Sequence, residues 1–145
     1  MKKNYIFLFF ILFTPSILCA ENNLNNIEIQ KPSIKISPNS NILSGYFLIR
    51  NTNNFEVKLT EIKCKFAKKV EMHKIEIDNE EIKMIKLKEG IAVPANSILE
   101  FKHGSYHLMF MGIKKKINIL DKHEVEFIFS NIGSQKVLFE VTNIK

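Results

Sequence analysis

The amino-acid sequence predicts an all-β protein built as an antiparallel sandwich or barrel. Apolar and polar residues alternate with a period of two along most of the chain, and isoleucine, valine and phenylalanine dominate the alternating stretches. Short polar clusters separate these stretches, and no long stretch has apolar residues at helical spacing. About seven short strands at this spacing are typical of both architectures. The periodicity alone does not choose between a sandwich and a barrel.

Four stretches show the clearest alternation, and each predicts a strand with one apolar face. In chain order these faces are His73, Ile75 and Ile77; Leu99 and Phe101; Val125, Phe127 and Phe129; and Val137, Phe139 and Val141. Turns are predicted at the polar clusters of residues 37–40, 51–54, 78–79, 94–96 and 130–133. The chain has no internal repeat and no long linker, so we expect one domain.

The first twenty residues predict a secretory signal peptide that is not part of the fold. A positively charged start precedes the apolar run Tyr5–Phe13, and the segment ends with small residues before a polar stretch. The run is shorter than the about 20 residues that span a membrane. We therefore expect cleavage after Ala20 and a periplasmic location, with an uncleaved anchor or lipid attachment at Cys19 as alternatives. A loose segment at residues 21–26 then precedes a single domain at residues 27–145.

Charge and cysteine content exclude several functions. Loss of the two lysines in the signal peptide lowers Lys+Arg from 21 to 19 against 15 Asp+Glu, so the net charge falls from +6 to +4. Arg50 is the only arginine, which disfavours nucleic-acid binding because phosphate and base readers use the guanidinium fork. After cleavage Cys64 is the only cysteine, which excludes an intramolecular disulfide and Cys-x-x-Cys chemistry. The acidic pair Glu80-Glu81 has no organised base or nucleophile beside it, so we do not expect an enzyme.

Soft metal ligands are concentrated in one part of the chain. All four methionines of the mature chain and three of its four histidines lie between residues 72 and 111. On a strand, His107 and Met109 point to the same face, and His73 and Met84 lie on two strands that could form a hairpin. Thioether sulfur selects Cu(I), and imidazole accepts several metals. For any single methionine, core packing is the simpler interpretation.

The spacing of these residues forms a longer motif. His73 lies in the stretch Val70–Lys74, and ten residues separate it from Met84. Twenty-two residues then separate Met84 from His107, which lies with Met109 in the stretch Gly104–Gly112. This pattern closely resembles the periplasmic copper chaperone family PCu(A)C, and residues 44–52 look like that family's first core strand. The resemblance runs from about residue 27 to the carboxyl terminus.

The resemblance implies a cupredoxin-like antiparallel β-sandwich of Greek-key type with one Cu(I) near its surface. It maps the four family ligands onto His73, Met84, His107 and Met109. Members of this family pass copper to the dinuclear copper site of cytochrome c oxidase, often alongside a Sco-type thiol protein. We expect the same role for this chain, as a monomer.

Two features depart from the family pattern. The spacing from Met84 to His107 is one residue longer than usual, and a one-residue slip would turn Met84 to the other face of its strand. A bulge or a longer turn, expected within residues 85–88, would absorb the extra residue. The chain also ends without a His/Met-rich tail, so we expect no second copper site.

The neighbouring side chains have simpler interpretations. We expect Met72 in the core, Met111 as an apolar rim of the site, Tyr106 packed at an edge, His103 and His123 at the surface or at strand ends, and Cys64 as a buried small hydrophobe. A thiol at Cys64 that assists copper transfer is an alternative.

Two other functions fit parts of the pattern. A metal-free secreted sandwich that binds a protein partner would use the same core. An electron-transfer cupredoxin would need a Cys thiolate with two His ligands, and Cys64 lacks the His and Met expected close downstream.

Overall fold

The computed structural model describes residues 23–36 and 41–143. The predicted signal peptide and the predicted turn at residues 37–40 lie outside the described residues. All described strands fall between Ile27 and Asn143, so a chain that starts at Glu21 contains the whole described fold. No helix in this part of the chain is long and apolar enough to cross a membrane.

The described residues form ten strands after a 3₁₀ turn at Asn23–Asn26. The strands are β1 (Ile27–Ile36), β2 (Ile42–Asn51), β3 (Val57–Cys64), β4 (Ala67–Asp78), β5 (Glu81–Lys86), β6 (Ile91–Val93), β7 (Ser97–Phe101), β8 (His107–Ile113), β9 (Lys122–Phe129) and β10 (Gly133–Asn143). The turns predicted at residues 51–54, 78–79, 94–96 and 130–133 lie between consecutive strands and are confirmed.

The strands form one continuous sheet in the order β5-β4-β8-β2-β1-β10-β9-β3-β6, and β7 pairs with β2 beside β8. Neighbouring strands are antiparallel except β1 and β10, which are parallel. The sheet stays open at its edges β5 and β6 but folds over into two layers, because Phe47 of β2 meets Phe127 of β9 at 5.0 Å between ring centroids although two strands separate them in the sheet. The predicted all-β sandwich is therefore confirmed.

Aromatic rings fill the space between the two layers. Phe47 stacks on Phe101 at 4.2 Å and meets Phe127 and Phe139 edge-on. The predicted inward faces of β9 and β10 are buried at Val125, Phe127, Phe129, Phe139 and Val141. Burial of such side chains contributes about 1.5–3 kcal/mol each.

The predicted apolar face of β4 does not face the core. Met72 is buried in the core as predicted, whereas His73, Ile75 and Ile77 lie on the outer face, where Ile77 is 76% exposed. The end of β4 extends with β5 as a hairpin at the edge of the sheet, and its side chains there are mostly exposed. Its turn residues Asn79 and Glu80 both have positive φ, which is the type I′ geometry that matches strand twist.

A buried asparagine fastens the end of β2. The side chain of Asn51 donates hydrogen bonds to the carbonyl oxygens of Phe55, Val93 and Pro94 at 2.9–3.0 Å. Its Oδ1 atom accepts from the backbone and side-chain N–H groups of Asn53 at 3.0 Å. The amide thus replaces water for groups that have no solvent contact.

Candidate metal centre

Two histidines face each other on the outer surface of the sheet. In the register of β4 and β8, His73 is directly opposite His107, and their ring centroids are 5.8 Å apart. A metal–imidazole nitrogen bond is about 2 Å long, so two rings that share one ion have centroids about 5–6 Å apart. The pair is therefore spaced to hold one metal ion between the rings.

His107 is held with one ring nitrogen free for a metal. Its Nδ1 lies 3.1 Å from the carbonyl oxygen of Ser105, which accepts a hydrogen bond from Nδ1–H. The neutral ring then presents the lone pair of Nε2, as in metal sites where a backbone carbonyl selects the tautomer. Burial lowers the pKa of His107; the carbonyl of Ser105 opposes this, and the charges of His73 and His103 add to it. Protons therefore compete with a metal at His107 less than they would at an ordinary histidine.

His73 has a complementary arrangement. Its Nε2 lies 2.8 Å from Oε2 of Glu71, which accepts a hydrogen bond from Nε2–H. The other nitrogen, Nδ1, is buried and has no hydrogen-bond partner. A buried nitrogen without a partner costs about 1–3 kcal/mol, and a metal bond would remove that cost. A carboxylate behind a histidine is a common arrangement that orients metal ligands.

Glu71 is a site residue that sequence reasoning missed. Its side chain is only 10% exposed and also accepts from Lys69 and Lys86, each at 2.5 Å. Hydrogen bonds from Lys69, Lys86 and His73 lower the pKa of Glu71 to about 2, so it is a carboxylate at neutral pH. Glu71 lies two residues before His73, and this spacing on one strand could have revealed it.

The two predicted methionine ligands lie on the same outer face. Met109 follows His107 by two residues and is opposite Glu71. Met84 is opposite Ile75, two residues from His73, and the pairing of β4 with β5 continues without a shift from His73 to Asp78. Despite the longer spacing to His107, Met84 therefore lies on the same face as the histidines. The turn after β5 is closed by a hydrogen bond from the N–H of Gly90 to the carbonyl oxygen of Leu87.

Met84 is set apart from the other three residues. Its side chain is 54% exposed. In a flat sheet its α-carbon would lie about 16 Å from that of Met109, at about 4.8 Å between strands and 3.3 Å per residue. The sulfur atoms of Met84 and Met109 can therefore bind the same ion only if the β4–β5 hairpin bends over the histidine pair. The structure brings His73, His107 and Met109 together and leaves Met84 at the open side.

The other predicted positions divide between core and surface. Met111 lies partly exposed on the site face, Tyr106 packs on Phe101 at 5.7 Å, and His103 is exposed. His123 lies at the start of β9 and its ring packs on Phe66 at 4.7 Å. Cys64 is partly buried at the end of β3, and burial raises the pKa of its thiol.

A blue-copper centre does not fit this geometry. Cys64 lies three residues before Ala67, where β4 starts. His73 lies six residues beyond Ala67 on β4, which corresponds to about 20 Å along the strand. In the described part of the chain, no three His, Cys, Asp or Glu side chains are grouped so that they could hold a metal. The thioether side chain of Met109 lies on the same face as the histidine pair, and thioether sulfur is a soft ligand.

The fold is that of a cupredoxin-like β-sandwich, and comparison with known proteins agrees. The family model "Putative lipoprotein LpqE-like" matches residues 27–141. The chain belongs to this family, which is related to the PCuAC domains that the sequence motif resembles.

Individual relatives are more distant. A curated relative, "Uncharacterized protein RP573" of Rickettsia prowazekii, is 26% identical over 113 residues, which are 78% of this chain and 62% of that protein. Among solved structures, the "Copper-bound PCuAC domain from PmoF2" has a TM-score of 0.68 at 18% identity and covers 82% of this chain and 94% of its own. "CuI-DR1885" from Deinococcus radiodurans has a TM-score of 0.64 at 17% identity, with 80% and 78% covered. These structures establish the PCuAC fold.

Proposed function

We propose that this chain is a periplasmic copper chaperone that holds one Cu(I) ion between His73, Met84, His107 and Met109. We further propose that it delivers the ion to the copper site of cytochrome c oxidase, with a Sco-type thiol protein as a second partner. The observation that carries the proposal is the His73–His107 pair, in which each ring has one nitrogen oriented by the protein and one left without a protein partner.

The ligand set suits a carrier. Two imidazoles and two thioethers are neutral, so the Cu(I) site keeps one positive charge, and the carboxylate of Glu71 lies behind His73 and orients its ring. Neutral soft ligands also survive an oxidising compartment, where paired thiols would close to a disulfide. The exposed side chain of Met84 lets an incoming ligand approach, so the ion can leave by stepwise exchange.

A competition titration of Cu(I) against a chromophoric chelator, on residues 21–145, tests the proposal. We expect one equivalent to bind tightly and in competition with the chelator. Absence of Cu(I) binding would contradict the chaperone function and leave a secreted sandwich that binds another partner.

Met84→Ala is expected to weaken Cu(I) binding by only about tenfold. Met84 lies at the open side of the site, and three ligands remain after its removal, so the loss corresponds to about 1.4 kcal/mol. The same titration measures it, with Met72→Leu as the control because Met72 lies in the core. An affinity equal to that of the parent would remove Met84 from the ligand set.

The surface beside Met84 provides a contact area for the receiving protein. Ile77 and Ile82 are paired across the hairpin on the site face and are 76% and 74% exposed. A partner that reaches Met84 must lie over them, since they are only two residues further along the hairpin. Burial of exposed isoleucines would stabilise such a transfer complex.

The double substitution Ile77→Ser with Ile82→Ser is therefore expected to slow Cu(I) transfer about tenfold without a change in Cu(I) affinity. Stopped-flow transfer to the isolated copper-bearing oxidase domain measures the rate. The matched control is Ile98→Ser with Leu138→Ser, which are similarly exposed and lie away from the hairpin. Equal slowing in both double variants would argue against a specific contact.

A further inference from the structure

The end of the sandwich away from the histidine pair carries a cluster of lysines. Lys65, Lys114, Lys115 and Lys122 line a cleft of about 560 Å³ together with Phe66 and His123, and Glu124 is its single acidic lining residue. Glu124 is paired with Lys136 at 3.0 Å, so its charge is already offset. The cleft therefore has an excess of positive charge.

One residue that lines this cleft has a buried nitrogen atom without a hydrogen-bond partner. The side chain of His123 is only 10% exposed, and its Nε2 makes no hydrogen bond. The nearest carboxylate, that of Asp121, lies 3.9 Å away, which is too far for a hydrogen bond. An unsatisfied buried nitrogen is uncommon in native proteins, and the residue that carries this one is part of the lining of the cleft.

Exposed apolar side chains lie next to the cleft, on the loop of residues 114–122, here called the basic loop. Ile119 and Leu120 at its tip are 48% and 71% exposed. Leu120 has a φ of 68°, an unfavourable conformation for leucine that displays its side chain to solvent. The loop is nevertheless fixed, because Lys114 N–H donates to Phe66 and Leu120 N–H donates to Val141.

Lysines around an anion-sized cleft, with an exposed apolar pair beside them, match the two requirements of a peripheral membrane site. The lysines attract anionic headgroups, and the apolar pair enters the boundary between headgroups and acyl chains. We propose that the basic loop and its cleft dock this domain on an anionic phospholipid bilayer, with a headgroup phosphate in the cleft near His123.

This orientation has a consequence for the histidine pair. His107 starts β8 and Lys114 follows its end, so the two residues are about 23 Å apart at strand spacing. A domain docked by the basic loop therefore keeps the histidine pair away from the lipid. The docking does not depend on copper and is open to test without it.

Sedimentation with vesicles tests the proposal on residues 21–145. The vesicles contain phosphatidylglycerol and phosphatidylethanolamine, or phosphatidylcholine alone. We expect binding to the anionic vesicles only, at least about tenfold weaker at high salt because the Debye length falls to about 3 Å at 1 M. Equal binding to both vesicles, or none to the anionic ones, would overturn the proposal.

Two variants separate the two parts of the site. One double variant removes charge (Lys114→Gln with Lys115→Gln), and the other removes the apolar pair (Ile119→Ser with Leu120→Asn). Each is expected to weaken vesicle binding about tenfold. Asparagine is used at position 120 because it tolerates the positive φ there. The matched controls, Lys83→Gln with Lys88→Gln and Ile98→Ser with Leu138→Ser, are expected to bind as the parent does. Binding that falls equally in the controls would contradict a specific docking surface.

Free phosphate in the cleft, or a second copy of the chain over the basic loop, would give experimental results that differ from those of membrane docking. Addition of short-chain phosphatidylglycerol is expected to shift the NMR signals of the His123 ring. If inorganic phosphate gives the same shift and the apolar variant binds vesicles normally, the cleft binds free phosphate and the membrane proposal is wrong. If the apolar variant instead converts a dimer to a monomer in analytical ultracentrifugation, a second copy of the chain covers the loop and the proposal is equally wrong.

Discussion

His107→Ala is expected to lower the affinity for Cu(I) by at least about 100-fold. Loss of a residue that only orients a ligand typically costs 10–100-fold in metal affinity, and His107 would be a ligand itself. Its ring is the one that the carbonyl of Ser105 holds with Nε2 free, opposite His73. The substitution therefore removes both a metal bond and one side of the paired site.

The matched control for this variant is His103→Ala. His103 is exposed in the connection four residues before His107, so its loss removes an imidazole but leaves both rings of the pair in place. A competition titration on both variants and the parent measures the difference. If His107→Ala and His103→Ala bind Cu(I) equally well, the histidine pair is not the copper site.

Asn51→Ala is expected to destabilise the fold by about 3–4 kcal/mol. The substitution leaves the buried carbonyl oxygen of Val93 and the buried N–H of Asn53 without their partner, and also removes the part-buried hydrogen bond to Pro94. Each buried polar group left without a hydrogen bond costs about 1–3 kcal/mol. The end of β2 and the loop before β3 would lose their attachment to β6.

Urea unfolding followed by circular dichroism measures this loss, since the chain has no tryptophan for fluorescence. The free energy of unfolding in water is expected to fall while its dependence on urea stays the same. Asn54→Ala is the control, because Asn54 lies exposed in the same turn. Equal stability of the Asn51 and Asn54 variants would show that the buried amide contributes no net stabilisation.

The sequence by itself determined the fold class and the location of most turns. A strand places alternate residues on opposite faces, so the pattern at Val125, Phe127 and Phe129 predicts one buried face without knowledge of the partner strands. The same local rule placed His107 and Met109 on one face. The ligand set itself came from the resemblance to PCu(A)C, and its copper chemistry stays a prediction.

Only the tertiary structure decided which face of β4 is buried and what surrounds the histidines. Both faces of β4 contain apolar residues, so alternation did not reveal that Ile77 points to solvent, although Met72 was correctly expected in the core. The opposition of His73 and His107, the carboxylate of Glu71 behind His73, and the parallel pairing of β1 with β10 were also not predicted. These features depend on which strands become neighbours, and strand pairing is a long-range choice made by packing of the whole sheet rather than by any one segment.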